Sequence, residues 1–149
     1  APEYLVLSYG DGGDMPAVQL YEGYCYQVAP APGRTIDRGA ARDCDQVHVS
    51  QVFRILGPYD ATTPDLPLPD PAALRAYGIE ACRLQFDALV VGDDRDRLAV
   101  TVLVPSAESF THDTRSTPES APAFGRRGVH CLLTAVDGSQ LTGSRLRAP

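Results

Sequence analysis

The sequence has no lysine, no asparagine and no tryptophan, and only one methionine. All 13 of its basic side chains are therefore arginine. Without an ε-amine there is no Schiff-base chemistry and no lysine general base. A Walker-type phosphate loop needs its lysine and is excluded as well. Lysine and asparagine share A-rich codons. Their joint absence, beside abundant Ala, Gly, Pro, Asp and Arg, reads as a GC-rich coding origin. The positive charge that remains is permanent and suits bidentate contacts with carboxylates.

Long apolar runs are missing too. No stretch approaches the ~20 residues of a membrane span, and no signal-peptide pattern is present. The chain opens at Ala1-Pro2, as a processed protein would, so the lack of a signal segment does not count against export. A net charge of −6 with scattered arginine argues against nucleic acid as the main partner. What is present suits one extracytoplasmic domain over residues 1–149, at 44% apolar and 21% charged. A chain of this length buries roughly 70% of its unfolded surface, enough for a core that does not depend on bridges.

The four cysteines are Cys25, Cys44, Cys82 and Cys131. No pair has C-x2-C spacing, which disfavours a zinc ribbon or a thioredoxin-like site. Four well-spread cysteines in a small acidic domain read as two disulfides and an oxidising compartment. Three pairings are possible. The sequential one, Cys25–Cys44 with Cys82–Cys131, closes loops of about 20 and 50 residues, each stabilising by roughly 3–4 kcal/mol in a loop-entropy model.

Hydrophobic patterning then orders the chain. Tyr4 to Tyr9 is β-like and runs into a Gly10–Asp14 turn. Val18 to Val28 reads as a strand, and Ala29 to Arg42 as a loop. Gln46 to Leu56 alternates, with Val47, Val49, Phe53 and Ile55 on one face, interrupted by Gln51, and His48, Ser50 and Arg54 on the other. Asp70-Pro71 is a helix start. Leu74, Tyr77, Ala81, Cys82, Phe86 and Leu89 make its apolar stripe, with Gly78 as a point where it could split. Cys82 on that stripe suits a bridge from helix to sheet. Leu98 to Val104 is a continuous apolar run, expected as a buried central strand, and Val129 to Val136 is a second one. Residues 106–123 read as a mobile loop, and Leu141 to Leu146 as a short last strand. The sum is an α+β domain, with a mostly antiparallel sheet and one helical segment at about residues 70–89 packed on it.

Candidate chemistry is sparse. His48, beside Ser50 and Arg54, is the first residue to test as a polar or pH-responsive contact. Tyr21, Tyr24 and Tyr26 fall on alternate positions, so a strand would present them as one aromatic platform. His48, His112 and His130 lack metal-ligand spacing, and no metal or cofactor is expected. Asp11-Gly12-Gly13-Asp14 lacks the further oxygens of a calcium loop. Asp93, Asp94 and Asp96, balanced by Arg95 and Arg97, read as a solvated turn. There is no G-x-S-x-G elbow, and bridged cysteines cannot attack. No catalytic residue and no small-molecule ligand is identifiable.

Several ordered motifs resemble the septum formation domain family, extracytoplasmic proteins of high-GC Gram-positive bacteria. The family's G-D-C-F is matched by Gly23-Tyr24-Cys25-Tyr26, with Tyr24 in place of the acid. Its C-x-x-P-H-x-x-E-V segment is matched by Cys44 to Val52, which keeps Cys44 and His48 but has Val47 for Pro and Gln51 for Glu. Cys82-Arg83-Leu84-Gln85-Phe86 matches C-x3-F. Pro105 to Phe110 and Gly125-Arg126 match a split P-x4-W…G-x-R, leading into Cys131-Leu132-Leu133 and Leu141-Thr142-Gly143-Ser144. The resemblance covers about residues 20–146. It implies a disulfide-paired, anchored envelope protein, and it adds Arg126 to the possible binding residues His48, Arg54, Tyr21, Tyr24 and Tyr26. The expected function is that of a non-catalytic binding or accessory domain whose partners are envelope proteins or a membrane complex. The rival is a small secreted hydrolase centred on His48 or His112. A third reading is an assembly segment whose 106–123 loop orders only with its partner.

Overall fold

A continuous apolar run is a strand only where both its faces are covered, and Leu98–Pro105 (β5) is such a strand. In the computed structural model, which describes residues 3–57, 67, 69–111 and 127–147, it lies inside a six-stranded mixed sheet. The other strands are Tyr4–Tyr9 (β1), Cys25–Tyr26 (β2), Ala41–Arg42 (β3), Ser50–Leu56 (β4) and Val129–Ala135 (β6). Their order is β1-β5-β6-β4-β2-β3. Only the β1–β5 pairing is parallel. The α+β class and the largely antiparallel sheet are as expected.

One face is covered by the helix Pro71–Leu89 (α1). Asp70 caps it by accepting the Ala73 N–H at 3.1 Å, and Pro71 fills the first turn, where no N–H is needed. Gly78 does not split this helix. Its buried residues are Leu74, Gly78, Cys82 and Phe86, spaced four apart, and Tyr77 is 39% exposed. The stripe is therefore narrower than expected, and glycine sits on it because the helix runs close to β5. Val100, Val102 and Val104 face this layer, while Leu103 faces away. The opposite face is covered by chain from Met15 to Ile36 that is irregular apart from β2. That cover is pinned by Gln19 N–H to Ile36 C=O, Ile36 N–H to Ala17 C=O and Gly33 N–H to Asp14 C=O, at 2.8, 3.2 and 2.7 Å. These bonds satisfy backbone groups that burial would otherwise leave unpaired.

Both expected disulfides are present, Cys25–Cys44 and Cys82–Cys131, with Cα separations of 5.3 and 5.6 Å. The second ties α1 to β6 through the core. Such bridges belong to an oxidising, extracytoplasmic environment. Among the described residues no helix is long and apolar enough to cross a membrane.

Four expectations are corrected. Val18 to Val28 is not one strand, because Gly23 turns the chain at φ +85° and only Cys25–Tyr26 joins the sheet. Along β4 the register shifts between Val52 and Arg54. The extra residue is Phe53, so Phe53 joins the helix layer while Ile55 joins the opposite one; Val47 is 46% exposed. Leu141 to Leu146 forms no strand, only isolated bridges from His48 to Leu141 and from Val90 to Leu146. Finally, the segment expected as a loop begins with a short helix, Ala107–Thr111 (α2), and residues 112–123 lie outside the described residues.

Candidate functional site

Gly23 has the positive φ that a turn here requires. The Tyr24 N–H donates to the Tyr21 carbonyl at 3.2 Å, closing the turn. Gly23 N–H donates to Val52 C=O at 2.8 Å and Val52 N–H to Tyr24 C=O at 3.0 Å, so the turn is hung on β4. The three tyrosines thus come together by a bend, not by strand alternation, and they differ in exposure. Tyr26 is fully buried, its hydroxyl accepting the Tyr21 N–H at 2.9 Å, and burial pushes its phenol up to about 12. Tyr24 is 52% exposed and Tyr21 half-buried. Their ring centroids lie 5.2 Å apart at 41°, and Tyr24 and Tyr26 are 6.5 Å apart.

Glu22, between the two outer tyrosines, was not singled out from the sequence. Its carboxylate accepts the Ile55 N–H at 2.9 Å and lies 3.6 Å from Arg54 Nε. Arg54 therefore sits beside the tyrosine turn, as the register shift allows. The result is a half-exposed ion pair beside two phenol rings. It offers flat apolar area, hydroxyls and a guanidinium in one patch.

Behind the patch lies Gln51, the residue that interrupted the apolar alternation. It is fully buried. Its Nε2 donates to Gly23 C=O at 3.2 Å and to Ser144 Oγ at 2.9 Å, and lies 3.8 Å from Cys44 Sγ. Its Oε1 accepts the Arg145 N–H at 2.9 Å. The Arg145 guanidinium then reaches Asp94 at 3.1 Å and the Thr142 and Gly143 carbonyls at 2.7 and 3.0 Å. One amide thus holds together the tyrosine turn, the first disulfide and the C-terminal segment. Gln51→Ala would leave the Gly23 carbonyl and the Arg145 N–H unpaired, while Ser144 Oγ keeps the Leu146 N–H, so it should cost about 2 kcal/mol or more in denaturant unfolding of the oxidised protein. A cost within ~0.5 kcal/mol, the range of an ordinary surface change, would show that the network carries no stability.

His48 is not on an exposed polar face. It is fully buried, with Nδ1 2.8 Å from the Gln46 carbonyl. Its backbone exchanges hydrogen bonds with Leu141 at 2.9 and 2.7 Å. It staples the C-terminal segment to the loop after Cys44. His130 is also buried, and its pKa is lowered to about 4, mainly by loss of water. Asp94 is committed to Arg145, and Asp14 exchanges bonds with Ser8, its carboxylate accepting the Ser8 N–H at 3.0 Å and Ser8 Oγ accepting its N–H at 2.8 Å. Among the described residues no three His, Cys, Asp or Glu side chains are placed to hold a metal ion. Arg126 and His112 lie outside the described residues.

The patch is thus built from Tyr21, Glu22, Tyr24 and Arg54, held by Gln51 and the Cys25–Cys44 bridge. Compared with protein-family models, curated proteins and solved structures, the chain matches none of them.

Proposed function

We infer that this is a non-catalytic binding domain of a cell-envelope protein, anchored to the membrane in its full form and contacting envelope proteins or a membrane complex. The observation that carries it is the tyrosine–arginine patch, fastened by a disulfide and a buried amide. Tyrosine and arginine are the residues that most often anchor protein interfaces. They contribute large area at low cost in side-chain order when their backbone is already fixed. The two disulfides and the motif resemblance support a position outside the cytoplasm. The burial of His48 and His130 supports a structural role for both, which weighs against a His48-centred hydrolase.

The test is a photo-crosslinking residue placed at Tyr24, in cells that make the protein. A matched probe at Leu84, 55% exposed on α1 and away from the patch, is the control. The expected result is a discrete adduct with an envelope protein from position 24 and none from position 84. Recovery of the protein in the cytosol with four free thiols, or equal labelling from both positions, would overturn the reading.

A further inference from the structure

The two edges of the sheet are built differently. At one edge, β3 is two residues long. The Arg42 guanidinium folds back over it, donating to the Gly39 and Ala41 carbonyls at 3.0 and 2.8 Å. Short length and a charge are the usual means of keeping an edge from pairing with another chain. The other edge, β1, has neither. Tyr4–Tyr9 is six residues with no charged side chain and no proline.

The free groups of β1 can be named. Val100 N–H donates to Glu3 C=O and Ser106 N–H to Tyr9 C=O, both at 2.8 Å. In a parallel pair alternate residues face the neighbour, so the odd-numbered residues of β1 face β5, and Tyr4, Val6 and Ser8 point their backbone groups outward. Ser8 is already satisfied: its N–H donates to Asp14 Oδ2 at 3.0 Å, and its carbonyl accepts the Met15 N–H at 2.9 Å. Tyr4 and Val6 keep an outward N–H and C=O each, with no partner among the described residues. Between them Leu5 is 52% exposed.

This pattern is complementary to itself. We propose that two copies of the chain pair antiparallel through β1, Tyr4 opposite Val6 of the second copy and Leu5 opposite Leu5. Residues directly opposite in an antiparallel pair alternate between hydrogen-bonded and closely spaced non-bonded positions. Tyr4 and Val6 then exchange both bonds with their counterparts on either side of the twofold axis. All four outward N–H groups of the two copies find outward carbonyls. The two Leu5 side chains occupy the close non-bonded position on one face and cover each other. The Gly10–Met15 turn, seated on Ser8, ends the pairing there, so the contact is short and the dimer concentration-dependent.

The test uses the full oxidised chain. Sedimentation equilibrium should show the mass rising from one copy to two with concentration. Over the same range, hydrogen exchange at the Tyr4 and Val6 amides should slow by about tenfold or more, while Leu5 and Leu7, already bonded to β5, change little. Leu5→Lys, at an exposed site, should keep the fold by circular dichroism and abolish both effects. A monomer at every concentration overturns the proposal. So does a dimer in which the Tyr4 and Val6 amides stay unprotected, one that survives Leu5→Lys, or protection that appears only when another protein's strand is added.

Discussion

Gly78→Ala is expected to destabilise the fold by about 1–2 kcal/mol, although alanine on an open helix is favoured by about 1 kcal/mol. The reason is space. A Cβ at Gly78 would stand 2.8 Å from Val102 Cγ1 and 3.3 Å from Val104 Cγ1. Valine is stiff at χ1, and β5 is enclosed by β1 and β6, so neither side chain can withdraw. The helix would have to lift, but Cys82, one turn along, is tied to Cys131 on β6. Strain therefore stays at the site. Gly78→Leu, which must place a whole side chain there, should cost more than about 3 kcal/mol. Denaturant unfolding of the oxidised variants measures both. A double-mutant cycle with Val102→Ala should show favourable coupling of about 1 kcal/mol, because the smaller partner makes the room. If Gly78→Ala stabilised by the full helix preference, the close approach would be refuted.

Gly78 also marks where sequence patterning reaches its limit. As a helix breaker it suggested a split; as the point of closest approach it permits the packing. The two cannot be distinguished without knowing which strand lies beneath. By contrast, β5 and β6 are legible because a run buried on both faces must be almost wholly apolar. α1 is legible because Asp70-Pro71 satisfies its first turn from within the sequence. Phe53 is the harder case. One extra residue in β4 sends it to the helix layer, where its ring meets Phe86 edge-on at 6.0 Å. Alternation read from either end of Gln46–Leu56 cannot show where the count slips. The irregular cover from Met15 to Ile36 is also beyond periodicity, because its order comes from backbone bonds between distant residues.

The candidate site was half legible for a similar reason. The tyrosines stand out by residue type, but Gly23 decides which are exposed, and only its φ reveals that. Gln51 gave a signal of another kind. A polar residue inside an apolar alternation must find partners if buried, and its partners Ser144 and Arg145 lie more than ninety positions away. By alternation His48 shares a face with Ser50 and Arg54, but the strand begins only at Ser50, and Ser50 is itself fully buried, so that alternation says nothing of His48's exposure.

Between about pH 7.5 and pH 4.5 the domain should lose about 2–3 kcal/mol of stability through His130 alone. The ring is buried on β6, with Ile55 and Leu103 as its strand neighbours and the Tyr9 ring edge-on at 4.9 Å. Its Nδ1 is buried without a hydrogen-bond partner, and the nearby Gly128 carbonyl accepts the Tyr9 hydroxyl at 2.5 Å. Burial raises the Tyr9 phenol far above its ordinary value, so it stays a donor throughout this range. None of these neighbours is an acid that could stabilise an imidazolium. Loss of water lowers the His130 pKa from 6.5 to about 4, so the native state favours the neutral ring. The unfolded chain takes up its proton near 6.5, and the native chain only near 4. The stabilisation is complete above the unfolded value, fades as pH falls between the two, and is gone below the lower one. His130→Leu should flatten the pH dependence across this window. Urea midpoints of both proteins at the two pH values decide it. An unchanged slope in His130→Leu would assign the acid sensitivity to carboxylates elsewhere and remove His130 as its source.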